Sequence, residues 1–331
     1  MPDGLTSRSI PALPMLVRLL GPWFADQLCV ADARVVDAVL LPGGAVQHNW
    51  RIDLDVDGDT QAYVLRVGPD VPLPESISKA DEFAILSRVY ADGVPVPEPL
   101  WFRDEVVPFF VSRMCPGDAA RDELTKRPDN AALLRDLGTA LAGIHGLDTG
   151  IPETRMSPKM RVEMLSSWIG DISEVPTPVA DEIAAGLAWL RAHMPDESHL
   201  RHVHRDFRTG NFLVEDGRLV AVLDWEFAGW GDPHEDIGWF CAECWRGNAP
   251  TLEAGGLGER GAFYDAYVAA GGARPEPARV RFWEIFAHLR WSIIALQQGV
   301  RARAGAYPAW ELEEAEAKVP GLLRTVAGMT R

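Results

Sequence analysis

The amino-acid sequence predicts an α+β, bilobal chain, with a small N-terminal lobe of mostly antiparallel strands and a larger, mostly helical C-terminal lobe. Strand-like alternation and a hairpin signal at Asp57-Gly58 mark the first lobe. Apolar residues recur at helical spacing along most of the chain after Pro116-Gly117. We therefore place the boundary near residues 115–118, which predicts lobes at 1–115 and 116–331.

The N-terminal lobe begins with a segment over residues 1–35 that is predicted to be a helical or irregular lead-in. Residues 45–55 alternate in the manner of a strand, and 62–67 form the return strand of the hairpin. A helix is predicted from 75 to 90, where apolar residues recur at helical spacing. Two further strands complete the lobe, near 99–103 and 108–114.

The C-terminal lobe is predicted to be a succession of helices interrupted by one β-hairpin. The first helix follows Asp129, a predicted cap, and carries leucines at helical spacing. Further helices are predicted at 159–170, 178–194, 233–245, 259–270, 276–303 and 309–327. The hairpin is predicted to turn at Asp216-Gly217, between two short apolar strands.

Composition narrows the range of partners. The formal net charge of −16 argues against a nucleic acid or an anionic membrane as partner, because both need a basic surface. No apolar run is long enough to cross a bilayer, and the apolar stretch 16–20 is short and contains Arg18, which makes it a poor signal peptide. These features predict a cytoplasmic protein. They do not indicate an oligomeric state.

Three polar residues near the middle of the chain predict its chemistry. Asn211 follows Asp206 by five residues, and Asp224 follows Asp206 by eighteen. A loop and the predicted hairpin join them, so their side chains are expected to meet at one end of the hairpin. Phosphoryl transfer needs this set of groups, because one Asp accepts the proton of a hydroxyl while an Asn and a second Asp hold Mg²⁺ on nucleotide phosphates. An Asp that only caps a turn is the simpler alternative for Asp206 alone.

The motifs around these residues resemble those of the aminoglycoside phosphotransferase family, also called the phosphotransferase enzyme family. The matching stretches are 202–211, Asp224-Trp225-Glu226 and Gly231-Asp232-Pro233. The resemblance implies a protein-kinase-like fold and Mg²⁺-dependent transfer of the γ-phosphoryl group of ATP, or GTP, to a hydroxyl of a small molecule. It implies Asp206 as catalytic base, with Asn211 and Asp224 as metal ligands. The chain departs from the family at Arg205, where Gly is usual.

The resemblance also implies that the N-terminal lobe binds the nucleotide. Arg66 occupies the strand position whose cation holds the phosphates. Glu82, in the following helix, is its predicted ion-pair partner, and Asp81 and Glu75 are rivals for that role. An exposed strand arginine is the simpler alternative for Arg66.

Two further segments are implied in nucleotide binding. Gly43-Gly44 lies in a glycine-rich turn, which lets backbone N–H groups approach phosphate, although an ordinary turn would explain it too. The stretch Arg113 to Cys115 would join the lobes and hold the adenine edge through its backbone. A simple edge strand is compatible with the same positions.

Two alternatives stay open for the function. The protein could be a nucleotide-binding pseudokinase that acts as a regulatory protein. It could also be a hydroxyacyl-CoA-type kinase rather than an antibiotic kinase, and the overall pattern is closer to that branch. Acidic composition instead favours a cationic acceptor, so the two indications conflict.

Overall fold

The computed structural model of the protein describes residues 20–41, 48–68, 75–104, 107–127, 129–147, 155–172, 174–197, 200–304 and 314–331. These residues cluster into two compact units. The first unit comprises the described part of Met1–Gly117 together with Val220–Phe227, and the second comprises that of Asp118–Leu219 together with Ala228–Arg331. Asp224 therefore belongs to the first unit, whereas Asp206 and Asn211 belong to the second. The predicted lobes, 1–115 and 116–331, stay a prediction.

The first unit is built on a five-stranded antiparallel sheet with strand order β1-β2-β3-β5-β4. Its strands are β1 Ala33–Leu40, β2 His48–Val56, β3 Asp59–Val67, β4 Pro99–Arg103 and β5 Phe109–Arg113. Its helices are α1 Gly21–Leu28 and α2 Lys79–Ala91. Strand β5 lies between β3 and β4, so the alternative of an edge strand ending at Arg113 is wrong. Strand β1 begins inside the segment predicted as lead-in.

Local sequence explains where these elements turn and begin. Asp57 and Gly58 both have positive φ, as a type I′ turn requires, and the predicted hairpin of β2 and β3 is confirmed. Helix α2 begins at Lys79 because the Ser78 side chain caps it, accepting a hydrogen bond from the N–H of Asp81. The helix therefore starts four residues later than predicted, which places Glu82 in its first turn.

The second unit is mostly helical. Its helices are α3 Arg121–Leu124, α4 Ala131–His145, α5 Pro158–Gly170, α6 Thr177–Ala192, α7 Pro233–Cys241, α8 Arg260–Ala269, α9 Pro277–Arg303 and α10 Val319–Met329, with a 3₁₀ turn at Glu243–Trp245. Its strands are β6 Arg201–Val203, β7 Phe212–Glu215 and β9 Gly229–Gly231, and β8 Arg218–Val222 continues the chain into the first unit. Within the described residues, none of the helices is both long and apolar enough to be a membrane span.

The predicted helices are present, with their ends shifted for local reasons. Asp129 accepts a hydrogen bond from the N–H of Ala131, although the cap position itself is Asn130. Helix α7 ends at Cys241 rather than at 245, because Ala242 adopts an extended conformation before the 3₁₀ turn. The beginning of the helix predicted at 309–327 lies outside the described residues, and α10 follows from Val319.

Helix α7 carries much of the candidate site, and it packs unusually closely on α9. A Cβ atom added at Gly238 would lie 2.5 Å from the Cβ of Trp283 and 2.8 Å from its backbone carbon. A side chain at this position would therefore push the two helices apart. Asp232 caps the start of α7 by accepting a hydrogen bond from the N–H of His234.

Candidate active site

Asp206 lies in the loop between β6 and β7 of the second unit, where three side chains hold its carboxylate. Oδ1 accepts hydrogen bonds from Nε1 of Trp239 at 2.9 Å and from Nε of Arg208 at 3.1 Å. Oδ2 accepts one from Nδ2 of Asn211 at 2.6 Å. The same Asn211 amide donates to the main-chain oxygen of Asp206 at 2.9 Å. The structure thus brings two of the predicted site residues, Asp206 and Asn211, into direct contact.

The backbone just before Asp206 is held by Asp236, which is fully buried in α7. Its two carboxylate oxygens accept hydrogen bonds from the N–H groups of His204 at 2.8 Å and Arg205 at 2.6 Å. Burial favours the neutral acid, but hydrogen bonds from His145 and from the backbone outweigh it and hold the pKa of Asp236 below its usual value. Asp236 is therefore an anion that fixes the main chain of the loop.

His204 contributes to the same loop through its ring. Its Nδ1 accepts a hydrogen bond from the N–H of Asp206 at 3.2 Å. The ring is completely buried. His204 therefore orients the loop.

Two arginine–tryptophan stacks border the Asp206 carboxylate. The guanidinium of Arg208 lies 4.7 Å from the ring centroid of Trp245, and that of Arg290 lies 4.5 Å from that of Trp239. Such stacks are attractive because the face of the indole ring is electronegative. Sequence reasoning missed Trp239 and Arg208 as contacts of Asp206. The available signal was the placement of Trp239 three residues after Asp236 on one helix, which puts both on one face.

In the first unit, Arg66 connects two acidic residues. It is buried, its Nε donates to Oε1 of Glu82 at 2.6 Å, and its Nη1 lies 2.9 Å from Oδ1 of Asp224. Burial disfavours the charged guanidinium, but the neighbouring carboxylates outweigh it and raise the pKa of Arg66. The predicted pair of Arg66 and Glu82 is thus present, whereas their role toward phosphate stays a prediction.

Lys79 is a second cation at this position that sequence reasoning missed. Its Nζ donates to Oε2 of Glu82, and its side chain is almost fully buried. Burial lowers the pKa of Lys79, and the Glu82 carboxylate opposes that effect. Glu82 therefore neutralises two buried cations, Arg66 through one oxygen and Lys79 through the other.

The segment that carries Asp224 is held to the rest of the first unit by Glu226. Its main-chain oxygen accepts a hydrogen bond from the N–H of Ile77 at 2.8 Å, and its Oε2 accepts one from Ser76 at 3.1 Å. Asp224 itself has a φ of 66°, in the left-handed region that non-glycine residues rarely adopt. A non-glycine residue keeps this conformation only where its surroundings stabilise it, and such residues are concentrated at functional sites.

Of the other residues predicted to contact the nucleotide, the structure describes Arg113 and Cys115. The N–H of Arg113 donates to the main-chain oxygen of Glu98 at 2.9 Å, so the adenine prediction rests on the backbone at Cys115. Burial raises the pKa of the Cys115 thiol, which keeps it protonated near neutrality. Gly43 and Gly44 lie outside the described residues.

The donor chemistry of Asn211 and Asp224 fits Mg²⁺, which prefers hard oxygen ligands. No group of three or more His, Cys, Asp or Glu side chains in the described part of the chain is arranged to hold a metal ion. Mg²⁺ bound to a nucleotide needs only one or two protein carboxylates, because phosphate oxygens and water complete its shell. An amide and a single carboxylate are therefore a sufficient protein contribution.

The chain thus combines an antiparallel sheet that carries a buried Arg–Glu pair with a helical unit that carries an Asp and an Asn in one loop. The chain belongs to the phosphotransferase enzyme family, whose family model matches residues 37–283. It accordingly has a protein-kinase-like fold.

Known proteins of two kinds resemble the chain. Acyl-CoA dehydrogenase family member 11 of Gallus gallus is 30% identical over 194 residues, which cover 54% of this chain but only 24% of that protein. Hygromycin-B 4-O-kinase of Escherichia coli is 26% identical over 212 residues, 58% of each chain. A solved structure of a thermostable APH(4)-Ia mutant with ADP and hygromycin B superposes with a TM-score of 0.63 at 19% identity, covering 94% of this chain and 98% of that one.

Proposed function

We propose that this protein transfers the γ-phosphoryl group of ATP, or of GTP, to a hydroxyl group of a small molecule, with Asp206 as the catalytic base. The observation that supports this most strongly is the binding of both Asp206 carboxylate oxygens by donors at 2.6 to 3.1 Å. A carboxylate held by Asn211, Trp239 and Arg208 has a defined direction. Phosphoryl transfer depends chiefly on such positioning and on charge stabilisation.

The first unit would bind the nucleotide. Arg66 would offer the Nη groups of its planar guanidinium to phosphate once Nη1 leaves Asp224. Its Nε is already held by Glu82, so little side-chain freedom would be lost on binding. The backbone of Gly43-Gly44 would approach the phosphates, and the backbone near Cys115 would hold the adenine. Asn211 and Asp224 would hold Mg²⁺, which when bound neutralises charge on the phosphate oxygens. Release of Asp224 from Arg66 would free its carboxylate for the metal.

The acceptor is proposed from the relatives and from the sequence pattern. The Gallus gallus relative carries the name of an acyl-CoA dehydrogenase family member, and the match spans 24% of it. The Escherichia coli relative is a hygromycin kinase. We therefore expect a hydroxylated acyl-CoA to be the better acceptor and an aminocyclitol antibiotic to be the rival.

The experiment is ADP release with Mg·ATP and with Mg·GTP against a panel of acceptors. The panel contains hydroxyacyl-CoA thioesters, hygromycin B, spectinomycin, macrolides, choline and sugars. Asp206→Asn should abolish turnover with the acceptor that is used. Asp136→Asn is the matched control, because Asp136 pairs with the exposed side chain of Arg218 and makes no contact with Asp206, so turnover should stay unchanged.

The outcomes separate the possible functions. Turnover with one acceptor class that is lost in Asp206→Asn supports the proposal and names the acceptor. Tight Mg·nucleotide binding without turnover on any acceptor would instead point to an acceptor outside the panel or to a pseudokinase, and calorimetry on the same samples measures the binding. Absence of nucleotide binding would refute the proposed function.

A further inference from the structure

Arg205, directly before Asp206, has a backbone conformation that suits glycine rather than arginine. Its φ is 64°, in the left-handed region. Glycine adopts this region freely, whereas the Cβ of any other L-residue is crowded there. The chain nevertheless carries arginine at this position and buries it, with 2% of its surface exposed. Contacts of the side chain must therefore offset the strain.

The side chain of Arg205 contacts two elements, β9 and α7. Its Nη2 donates to the main-chain oxygen of Trp230 in β9 at 2.6 Å, and its Nε lies 3.8 Å from Oε2 of Glu235 in α7. Glu235 is buried too, and Arg161 of α5 binds its other oxygen through Nε at 2.8 Å. A buried carboxylate shared by two arginines resists displacement, because moving either partner leaves buried charge uncompensated.

The main chain of Arg205 is held from both sides. Its N–H donates to Asp236, and its carbonyl oxygen accepts a hydrogen bond from Nη1 of Arg290 at 2.9 Å. One turn further along α7, Trp239 donates to the Asp206 carboxylate. Three residues of one helix thus contact, in order, the side chain of residue 205, its main chain, and the side chain of residue 206.

We propose that Arg205 is a positioning residue, whose side chain holds the loop against β9 and α7 and thereby sets the direction of the Asp206 carboxylate. The inference rests on the proposed function only in taking Asp206 as the base. It gives a role to the residue at which this chain departs from its family. Glycine at 205 would keep the backbone conformation and lose the contacts with Trp230 and Glu235.

The test compares Arg205→Gly and Arg205→Lys with the wild-type protein. In both, kcat should fall while KM for Mg·ATP stays unchanged, because the base moves and the nucleotide contacts do not. The fall should be about 10- to 100-fold in Arg205→Gly, the size expected when a reacting group is displaced by roughly 1 Å. Arg205→Lys keeps the charge without the planar fork and should be intermediate.

A second readout does not depend on turnover. The indole N–H of Trp239 is hydrogen-bonded to the Asp206 carboxylate, so its ¹H–¹⁵N chemical shift is sensitive to the position of that carboxylate. In Arg205→Gly the resonance should shift in the same direction as it does in Asp206→Asn. Trp239→Phe assigns the resonance. The matched control is Arg260→Lys, which disturbs another arginine–glutamate pair of the second unit, with Glu284, and should move neither the resonance nor kcat.

The outcomes keep the two proposals apart. An active wild type with unchanged kcat and an unmoved Trp239 resonance in Arg205→Gly would overturn the inference, even if the melting temperature falls. A wild type inactive on every acceptor would count against the proposed function, and the resonance alone would then decide the role of Arg205. If Arg205→Gly does not fold, Arg205→Lys decides by the same two measurements.

Discussion

Trp239 donates its indole N–H to Oδ1 of Asp206 across 2.9 Å, in a buried part of the second unit. The opposite oxygen of the carboxylate is bound by Asn211. The face of the same indole ring carries the guanidinium of Arg290, whose Nη1 donates to the main-chain oxygen of Arg205. A buried tryptophan of α7 is therefore in direct contact with the proposed base.

Trp239→Phe should lower kcat by about 10- to 100-fold, because a hydrogen bond to a charged group is worth roughly 1.5–3 kcal/mol and each 1.4 kcal/mol is a factor of ten. Steady-state kinetics with the identified acceptor measures it. Trp168→Phe is the matched control, since Trp168 lies in α5 and is buried in the hydrophobic core of the second unit. Equal kcat values for the two variants would show that the indole N–H has no role.

Glu82→Gln should destabilise the first unit and weaken nucleotide binding, because Arg66 and Lys79 lose their shared anion. Breaking a buried ion pair costs about 3 kcal/mol or more. Urea denaturation measures the free energy of unfolding, and calorimetry measures the Kd for Mg·ATP. Asp92→Asn removes an exposed pair with Arg88 and should cost less than about 0.5 kcal/mol. A Glu82→Gln protein as stable as Asp92→Asn would contradict this account.

His202 should make the second unit sensitive to acid. Both of its ring nitrogens are buried without a hydrogen-bond partner among the described residues, and burial lowers its pKa from 6.5 to about 4. The unfolded chain therefore takes up the proton first as the pH falls. Stability is lost between pH 6.5 and 4, by about 3 kcal/mol from this group.

His202→Leu, which cannot be protonated, tests this dependence. Urea denaturation of the wild type and the variant at pH 7 and pH 4 gives the loss of unfolding free energy for each. The variant should lose about 3 kcal/mol less than the wild type over this interval. Parallel losses in both proteins would mean that His202 is not the group responsible.

Gly238→Ala should destabilise the protein by about 1–3 kcal/mol, because the new methyl group would overpack the contact between α7 and α9. Gly328→Ala in α10 is the control, since a Cβ there meets no atom within 4 Å. It should be neutral or stabilising by up to about 1 kcal/mol, as alanine favours helix. Thermal unfolding of both variants compares them, and a Gly238→Ala protein as stable as Gly328→Ala would contradict close helix packing.

The parts of the site that could be predicted are those set by local spacing. Arg66 and Glu82 are sixteen residues apart, on a strand and the first turn of the next helix, so their pairing follows from that order. Asp206 and Asn211 share one loop. Helical and strand periodicity likewise located most elements, and only their ends differ.

The parts that could not be predicted depend on packing between distant segments. Glu235 and Arg161 are 74 residues apart, and Arg290 and Arg205 are 85 apart. Nothing near Arg161 or Arg290 in the sequence distinguishes a buried arginine from an exposed one. Lys79 lies three residues before Glu82 in the predicted helix, so the spacing makes them neighbours, but nothing in the sequence indicates that both side chains are buried.

Helix α7 contacts the loop through Glu235, Asp236 and Trp239, which occupy little more than one helical turn. The same helix is pressed against α9 at Gly238. Asp206 therefore cannot become disordered locally while α7 and α9 remain packed together. Heat inactivation of the enzyme should accordingly coincide with cooperative melting of the helical unit, without an earlier stage in which the folded protein is already inactive.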